Sequence, residues 1–434
     1  MDILTINDTP GQHAASWYAA TVEAPAPKPR AEGDIRADAV VVGGGYGGLT
    51  AAIHMARAGL DVVLLDASRL GSGASGRNGG QVSTGQRLEQ GDLERIVGVE
   101  KARLLWEYGC EAVDLVRGLC AEAGDDCDWR DGVIHANHRD RYTADSRAHV
   151  EHMRSHYNYD RIRFLDRDEI RHEVGSPDYH SGTLDMGSGH LHPLRYALAL
   201  GRLADAAGVR IFENTRVTAV EAGTARPRVS TAHATIAADH LVMALNGYHN
   251  NLEARIARRV MPINNFIAVT EPLPPDLADR LIPNRHAVAD SRFVINYFRL
   301  SPDNRMIFGG GESYGYRFPE DLEAKVRGPM AEVFPALRET KVDYAWGGTL
   351  GITMSRLPHF ARLGPAALTV SGFSGQGVTL ATLAGKMAAE AVLGQAGRFD
   401  LMAGLPTAPF PGGPLLRTPL LAAAMIWYAM RDRM

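Results

Sequence analysis

The chain has 434 residues, enough for two or three domain-sized units of roughly 150 residues each. With 45% apolar and 22% charged residues it has the composition of an ordinary soluble globular protein. A formal charge of −4, with no dense Lys/Arg patch, argues against a nucleic-acid partner.

The first 36 residues read as a polar, Pro-containing arm, with Trp17 and Tyr18 expected to pin it to the body. Ala39 to Val42 is a short β-branched apolar run, which predicts a buried strand. Gly43, Gly45 and Gly48 follow with G-x-G-x-x-G spacing. Leu49, Ala52, Ile53 and Ala56 then fall at helical spacing, and Gly59 closes the helix. Asp61 to Leu65 predicts a second strand, ending at Asp66. Strand, helix, strand and terminal acid come in the order of a dinucleotide-binding βαβ unit. Gly43 permits a tight turn, Gly45 lets the backbone approach a pyrophosphate, and Gly48 lets helix and strand pack closely. The helix N-terminus favours the phosphates. Asp66 would accept hydrogen bonds from a ribose hydroxyl and repel a 2′-phosphate.

Ser68 to Gln81 is a polar, Gly-dense run, with Ala74-Ser75-Gly76-Arg77-Asn78-Gly79-Gly80 at its heart. It resembles the second cofactor segment of FAD enzymes of the D-amino-acid oxidase superfamily. The resemblance implies that Ser75, Arg77 and Asn78 contact the diphosphate side and that Gly80 and Gln81 lie near the flavin. It extends cofactor contact to Tyr46, Ala67, Arg69, Gly73 and Ala74.

Gln86 to Ala123 predicts two helices, Asp128 to Ala136 a strand, Tyr142 to Tyr157 a helix, and Leu165 to Val174 a strand passing into a short helix. Beyond Gly189-His190-Leu191-His192-Pro193, a helix is expected over Leu194 to Ala207, with strands at Val209 to Glu213 and Arg216 to Glu221. His190 and His192 are either acid/base groups or, as the placement beside Pro193 favours, braces of a helix start. The resemblance makes Val217 an adenine contact. Val229 to Thr235 and Asp239 to Leu245 predict a hairpin and a buried strand. Asn246 and Gly247 follow at its carboxyl end, where open α/β sheets bind ligands.

From Val260 the pattern alternates as in an antiparallel sheet, with Asp303-Asn304 as a hairpin turn. Tyr297 offers an aromatic wall. Arg292 and Arg299 are either anion binders for a substrate or strand-edge arginines in water. Thr270 to Leu273, Phe308 to Gly311 and the segment from Trp346 resemble the γ-glutamylputrescine oxidase branch. Leu368 to Val370 is a last buried strand, followed by Gly375-Gln376-Gly377-Val378 and a helix to Leu393. The resemblance places these four residues at the flavin ring, with the helix N-terminus stabilising charge there. Gln376 stands where the superfamily usually carries histidine, and it is also a candidate substrate contact. The tail, Leu415 to Met430, is apolar but too short to span a bilayer. It would dock on the body or touch a membrane surface.

The expected fold is α/β: a Rossmann-like FAD-binding domain with a second α+β substrate domain on a mostly antiparallel sheet. The arm is residues 1–36. The FAD-binding domain is assembled from 37–105, 189–259 and 355–400, the substrate domain from 106–188 and 260–354, and a tail helix from 401–434. The resemblance implies oxidation of an amine, γ-glutamylputrescine or a similar one, by hydride transfer to flavin N5 and imine hydrolysis to an aldehyde, a step of polyamine catabolism. The alternatives are a cyclic or N-alkyl amino acid such as pipecolate, and a flavoprotein that binds a partner without amine turnover. No obligate catalytic acid or base is expected, because the cofactor carries the hard step. The lysine that activates oxygen in related oxidases would fall near Asn264, leaving O2, a quinone or an electron carrier as acceptor. By the same resemblance, the cysteine that binds flavin covalently in sarcosine oxidase would fall shortly before Leu368; no cysteine follows Cys127, so the resemblance implies non-covalent FAD. Cys110, Cys120 and Cys127 form no C-x-x-C pair, and no metal site is expected. Their sparse, odd count and the lack of a charged start followed by an apolar core predict a cytoplasmic setting.

Overall fold

The structure is a computed structural model that describes residues 2–313 and 315–412. The apolar tail from Leu415 lies outside the described residues. Two sheets carry the chain. In the first, the main path runs His359–Gly364, Ala367–Ser371, Ala234–Met243, Gly33–Val42, Val62–Leu65 and Arg210–Phe212. The four strands from Ala234–Met243 to Arg210–Phe212 pair in parallel, and Ala367–Ser371 joins them in the same sense. Ala39, Val40, Val41 and Val42 are buried on both faces of this sheet. Burial on both faces is why the run is continuously apolar rather than alternating.

Helices cover one face. Tyr46–Arg57 follows the glycine turn, and Gly377–Val392 packs on it. Gly385 lets the two approach so closely that a Cβ there would lie 2.2 Å from the Gly47 carbonyl oxygen. Leu49, Ile53 and Met55 meet Leu383 and Met387 in the core this creates.

Two expectations shift in detail. The first strand begins at Gly33, inside the segment assigned to the arm, because Gly33 to Ala37 already pair with Ala234 to Ala238. The Val229–Thr235 strand does not form as one piece. Thr231 Oγ1 accepts the N–H groups of His233 and Ala234 and turns the chain, so Arg228–Thr231 folds back on a continuous Ala234–Met243 strand. The arm is pinned as expected, with Trp17 and Tyr18 buried.

The second sheet runs Val342–Ile352, Met261–Thr270, Met306–Ser313, Tyr297–Leu300, Ala287–Asp290, Arg130–Asn137, Ser181–His190 and Gln81–Val82. Along this path the pairs are antiparallel except Ala287–Asp290 with Arg130–Asn137. Asn304, at φ 63°, makes the expected hairpin turn. Phe298 stacks on Phe308 at 5.3 Å and meets Phe334 edge-on at 5.0 Å. This cluster anchors the Leu322–Val333 helix under the sheet. The sheet is therefore supported behind, and its other face is left to wall a cavity. No described helix is long and apolar enough to cross a membrane.

Candidate active site

A cavity of ≈ 2070 Å³ runs from the carboxyl ends of the parallel strands to the face of the second sheet. That exceeds the usual 300–1,000 Å³ of a small-ligand site and suits a dinucleotide with a substrate beside it. Its inner end is built on the glycine turn. Gly43 has φ +111°, and a Cβ there would lie 2.6 Å from the Ala244 carbonyl oxygen. A Cβ on Gly45 would meet Ser75 Oγ at 2.8 Å. At both positions the space a side chain needs is already taken by protein atoms, so bare backbone from Gly43 to Gly45 lines the cavity where an extended anion would pass. Gly48 lies behind the wall, where its missing Cβ lets the helix touch the Gly43 carbonyl.

Asp66 closes this end. Its carboxylate accepts N–H bonds from Gly44 at 2.7 Å and Ser68 at 2.8 Å. Burial pushes its pKa up to about 6, against the pull of those two N–H groups.

The polar run after Asp66 wraps the same end. Ser75 Oγ accepts the Tyr46 N–H at 3.1 Å, and Tyr46 Oη bonds back to the Ser75 and Pro193 carbonyls. Asn78 is a brace: its Nδ2 donates to the Ala74 and Ser75 carbonyls, and its Oδ1 accepts the Gly80 N–H. Arg77 pairs with Asp8 of the arm at 2.6 Å while donating to the Ser72 carbonyl. Asp8, Leu4 and Thr5 join the cavity wall, so the arm is part of the site. Sequence reading missed this because a polar arm carries no motif.

Ala67, Gly73, Ala74, Gln81, Val217, Asn246, Gly375, Gly377 and Val378 also line the cavity. Five expected site residues do not. Gly48 is one. Arg69 is held in a buried pair with Glu213 at 2.8 Å. Gly80 packs on the Leu191 carbonyl, and Gly247 on the Leu350 backbone. Arg299, 2% exposed, is the fifth, and it is not a substrate anchor. Its Nε donates to the Gly79 carbonyl at 3.0 Å and its Nη2 to Leu191 O at 3.1 Å. A buried guanidinium needs such acceptors, and these hold the glycine run against the second sheet.

Arg292 does reach the cavity wall, but Asp178 and Asp290 already neutralise it. It is not a free anion binder. Gln376 lines the cavity, yet its Nε2 donates to the Thr84 and Gly85 carbonyls, both at 3.0 Å. The amide ties the start of the Gly377–Val392 helix to the loop after Gln81, which leaves its oxygen for a ligand. Tyr297 walls the site and donates to Asn265 Oδ1. His190 and His192 are buried braces away from the cavity. His190 meets the Arg285 carbonyl at 2.8 Å, and His192 caps the Pro193–Ala206 helix through the Arg195 N–H. Burial, then the charge of Arg299, pushes both down to about 3, so neither is charged at neutral pH, and His190 keeps the one N–H it donates to the Arg285 carbonyl.

Three further wall residues escaped sequence reading: His135, Arg87 and Arg356. His135 is open to the cavity yet deep in the protein, and burial lowers its pKa. Asn264 turns away from the cavity, bonding Thr349 Oγ1 at 2.8 Å, while Asn265 faces in. None of the three cysteines reaches the wall. No group of three or more His, Cys, Asp or Glu among the described residues is placed to hold a metal.

A parallel sheet with a glycine turn, a terminal acid and a cavity shared with a second sheet defines a dinucleotide-dependent enzyme. The DAO family model, described as FAD dependent oxidoreductase, matches residues 38–391. The chain is 41% identical over 418 residues to "Probable oxidoreductase OrdL" of Rhizobium meliloti, covering 96% of this chain and 97% of that protein. It is 38% identical over 424 residues to "Gamma-glutamylputrescine oxidoreductase" of Escherichia coli, covering 98% and 99%. The crystal structure of glycine oxidase from Geobacillus kaustophilus superposes with a TM-score of 0.71 at 20% identity, covering 86% of this chain and 99% of that one. The chain belongs to the DAO family of FAD-dependent oxidoreductases. The bare glycine cradle and the acid at its inner end fit that cofactor.

Proposed function

We propose that this protein oxidises γ-glutamylputrescine or a closely similar amine to the aldehyde. The observation that carries the reading is the 38% identity to the Escherichia coli γ-glutamylputrescine oxidoreductase, which runs through nearly the whole of both chains. When bound, FAD accepts the hydride from the carbon bearing the amine.

The protein's own contribution is to hold and to shield. The Gly43–Gly45 turn and Ser75 would receive the diphosphate, Asp66 the adenosine ribose, and Val217 the adenine. Gly375, Gln376, Gly377 and Val378 would meet the flavin ring, where the uncapped start of the Gly377–Val392 helix offers N–H groups to developing charge. Tyr297 and Gln81 wall the substrate side. The amine must react as the free base. His135 lines the same cavity, and its lowered pKa favours the neutral imidazole, which would accept a hydrogen bond rather than add positive charge. None of the three cysteines lines the cavity, which supports a cofactor held without a cysteinyl link. With Asn264 turned away and no lysine in its place, the acceptor of the electrons is O2, a quinone or an electron carrier.

The test is steady-state turnover with an artificial electron acceptor over a panel of γ-glutamylputrescine, putrescine, pipecolate and proline, with aldehyde trapped and weighed by mass spectrometry. The γ-glutamylated amine should give the highest kcat/KM. Preference for a cyclic amino acid would replace the reading.

A further inference from the structure

Among the described residues six arginines line the cavity, and they divide sharply. Arg77 pairs with Asp8, Arg95 with Asp92, Arg216 with Asp2, and Arg292 with Asp290 and Asp178. Arg87 and Arg356 make no ion pair with a carboxylate among the described residues; Glu312, on the same wall, acts on Arg87 only at a distance. Arg87 Nε donates to the Ser374 carbonyl at 3.2 Å, which fixes the side chain beside Gly375, while no acceptor is found for its terminal nitrogens among the described residues. Arg356 sits in the turn before Leu357 with φ 62°, a left-handed conformation that an arginine rarely adopts. Such strained positions cluster at ligand sites.

The two cations feel each other. Burial first and the charge of Arg356 second lower the pKa of Arg87, with Glu312 pulling the other way. Two guanidinium groups facing one cavity without a shared anion are unfavourable. Planar, forked donors of this kind match a carboxylate.

We propose that Arg87 and Arg356 form a subsite for a substrate carboxylate remote from the carbon being oxidised, namely the α-carboxylate of a γ-glutamylated amine. This rests on the amine-oxidation reading and deepens it. It places specificity on two residues in unremarkable stretches of sequence, and takes it away from Arg292 and Arg299. Arg87 comes from the loop that Gln376 ties down, so the Gln376 amide acts as a positioning group for the subsite.

The test uses γ-L-glutamylbutylamide, which lacks the terminal amine and cannot be oxidised, and its α-carboxamide analogue. Both are titrated calorimetrically into the oxidised holoenzyme. The carboxylate should bind tighter than the carboxamide by roughly ten-fold or more, the loss expected when a buried charge pair is removed. Arg87→Gln and Arg356→Asn should each abolish most of that preference, and Arg87→Lys should keep part of it. Asparagine suits the left-handed turn, so Arg356→Asn carries the test if Arg87→Gln fails to fold. Equal binding of the two ligands by the wild type, or binding of neither, overturns the subsite. So does a preference that survives both substitutions, or a shift of flavin potential with the preference intact, which would assign the arginines to the cofactor. Failure of γ-glutamylputrescine to reduce the wild-type flavin would sink the substrate reading instead, and the calorimetry would still decide the subsite.

Discussion

Replacing Gly48 by alanine tests the link between glycine spacing and cofactor retention. A Cβ on Gly48 would lie 1.8 Å from the Gly43 carbonyl oxygen, 3.1 Å from its carbon and 3.2 Å from Val41 Cγ1. Contacts below 3.0 Å essentially never occur, so helix or turn must retreat by more than an ångström. The helix has little room to do so, because its far side rests on Gly385 with the Gly47 carbonyl 2.2 Å from a Cβ built there. Overpacking of this kind costs about 1–3 kcal/mol or more, against a gain of about 1 kcal/mol in helix propensity. The clash is with backbone and cannot be relieved by a rotamer, so the upper end of that range applies. A net loss of about 2 kcal/mol or more is expected in urea unfolding of the cofactor-free protein. The purified Gly48→Ala protein should also carry less FAD per chain, because the turn that moves is the phosphate cradle. A wild-type unfolding midpoint together with wild-type FAD content would refute the reasoning.

Gly118→Ala is the counterpart. Gly118 is exposed in the Val99–Glu122 helix with nothing within 4 Å of a Cβ, so the change should stabilise by about 0.5–1 kcal/mol in the same assay. FAD affinity should depend on pH through Asp66. Its carboxyl titrates at about 6 without cofactor, and the ribose needs the ionised form as acceptor. Affinity should therefore be flat above pH 6 and fall below it, approaching about tenfold per pH unit. Fluorescence titration should show this fall, and Asp66→Asn should remove it along with much of the affinity. Acid precipitation of the holoenzyme should leave all the flavin in the supernatant; flavin retained in the pellet would contradict the non-covalent assignment.

The cofactor half was legible because its constraints are local. Gly43, Gly45 and Gly48 lie within six residues; a Cβ would strike backbone oxygen at Gly43 and Gly48 and the Ser75 hydroxyl at Gly45. Buried parallel strands announce themselves as unbroken apolar runs. The substrate half was legible as a sheet, since alternation and the Asn304 turn are also local signals, but its chemistry was not. Arg292 and Arg299 stood out as cations in an aromatic strand region. Asp290 is a local partner of Arg292, two residues away, but Asp178 and the Gly79 and Leu191 carbonyls are more than a hundred residues away in sequence. Whether an arginine is spent on a carboxylate or left for a ligand depends on such long-range pairing, which spacing does not encode. Arg87 and Arg356 escaped for the same reason. Asp8 escaped because a polar arm looks alike whether it hangs in solvent or closes over a cavity.

The most direct test of the central claim is anaerobic. Purified protein is expected to be yellow, and its flavin band near the visible region's blue end should bleach on adding γ-glutamylputrescine and stay unbleached with putrescine at the same concentration. A colourless protein that cannot be reconstituted with FAD, or a yellow one that no amine or amino acid reduces, would contradict the account.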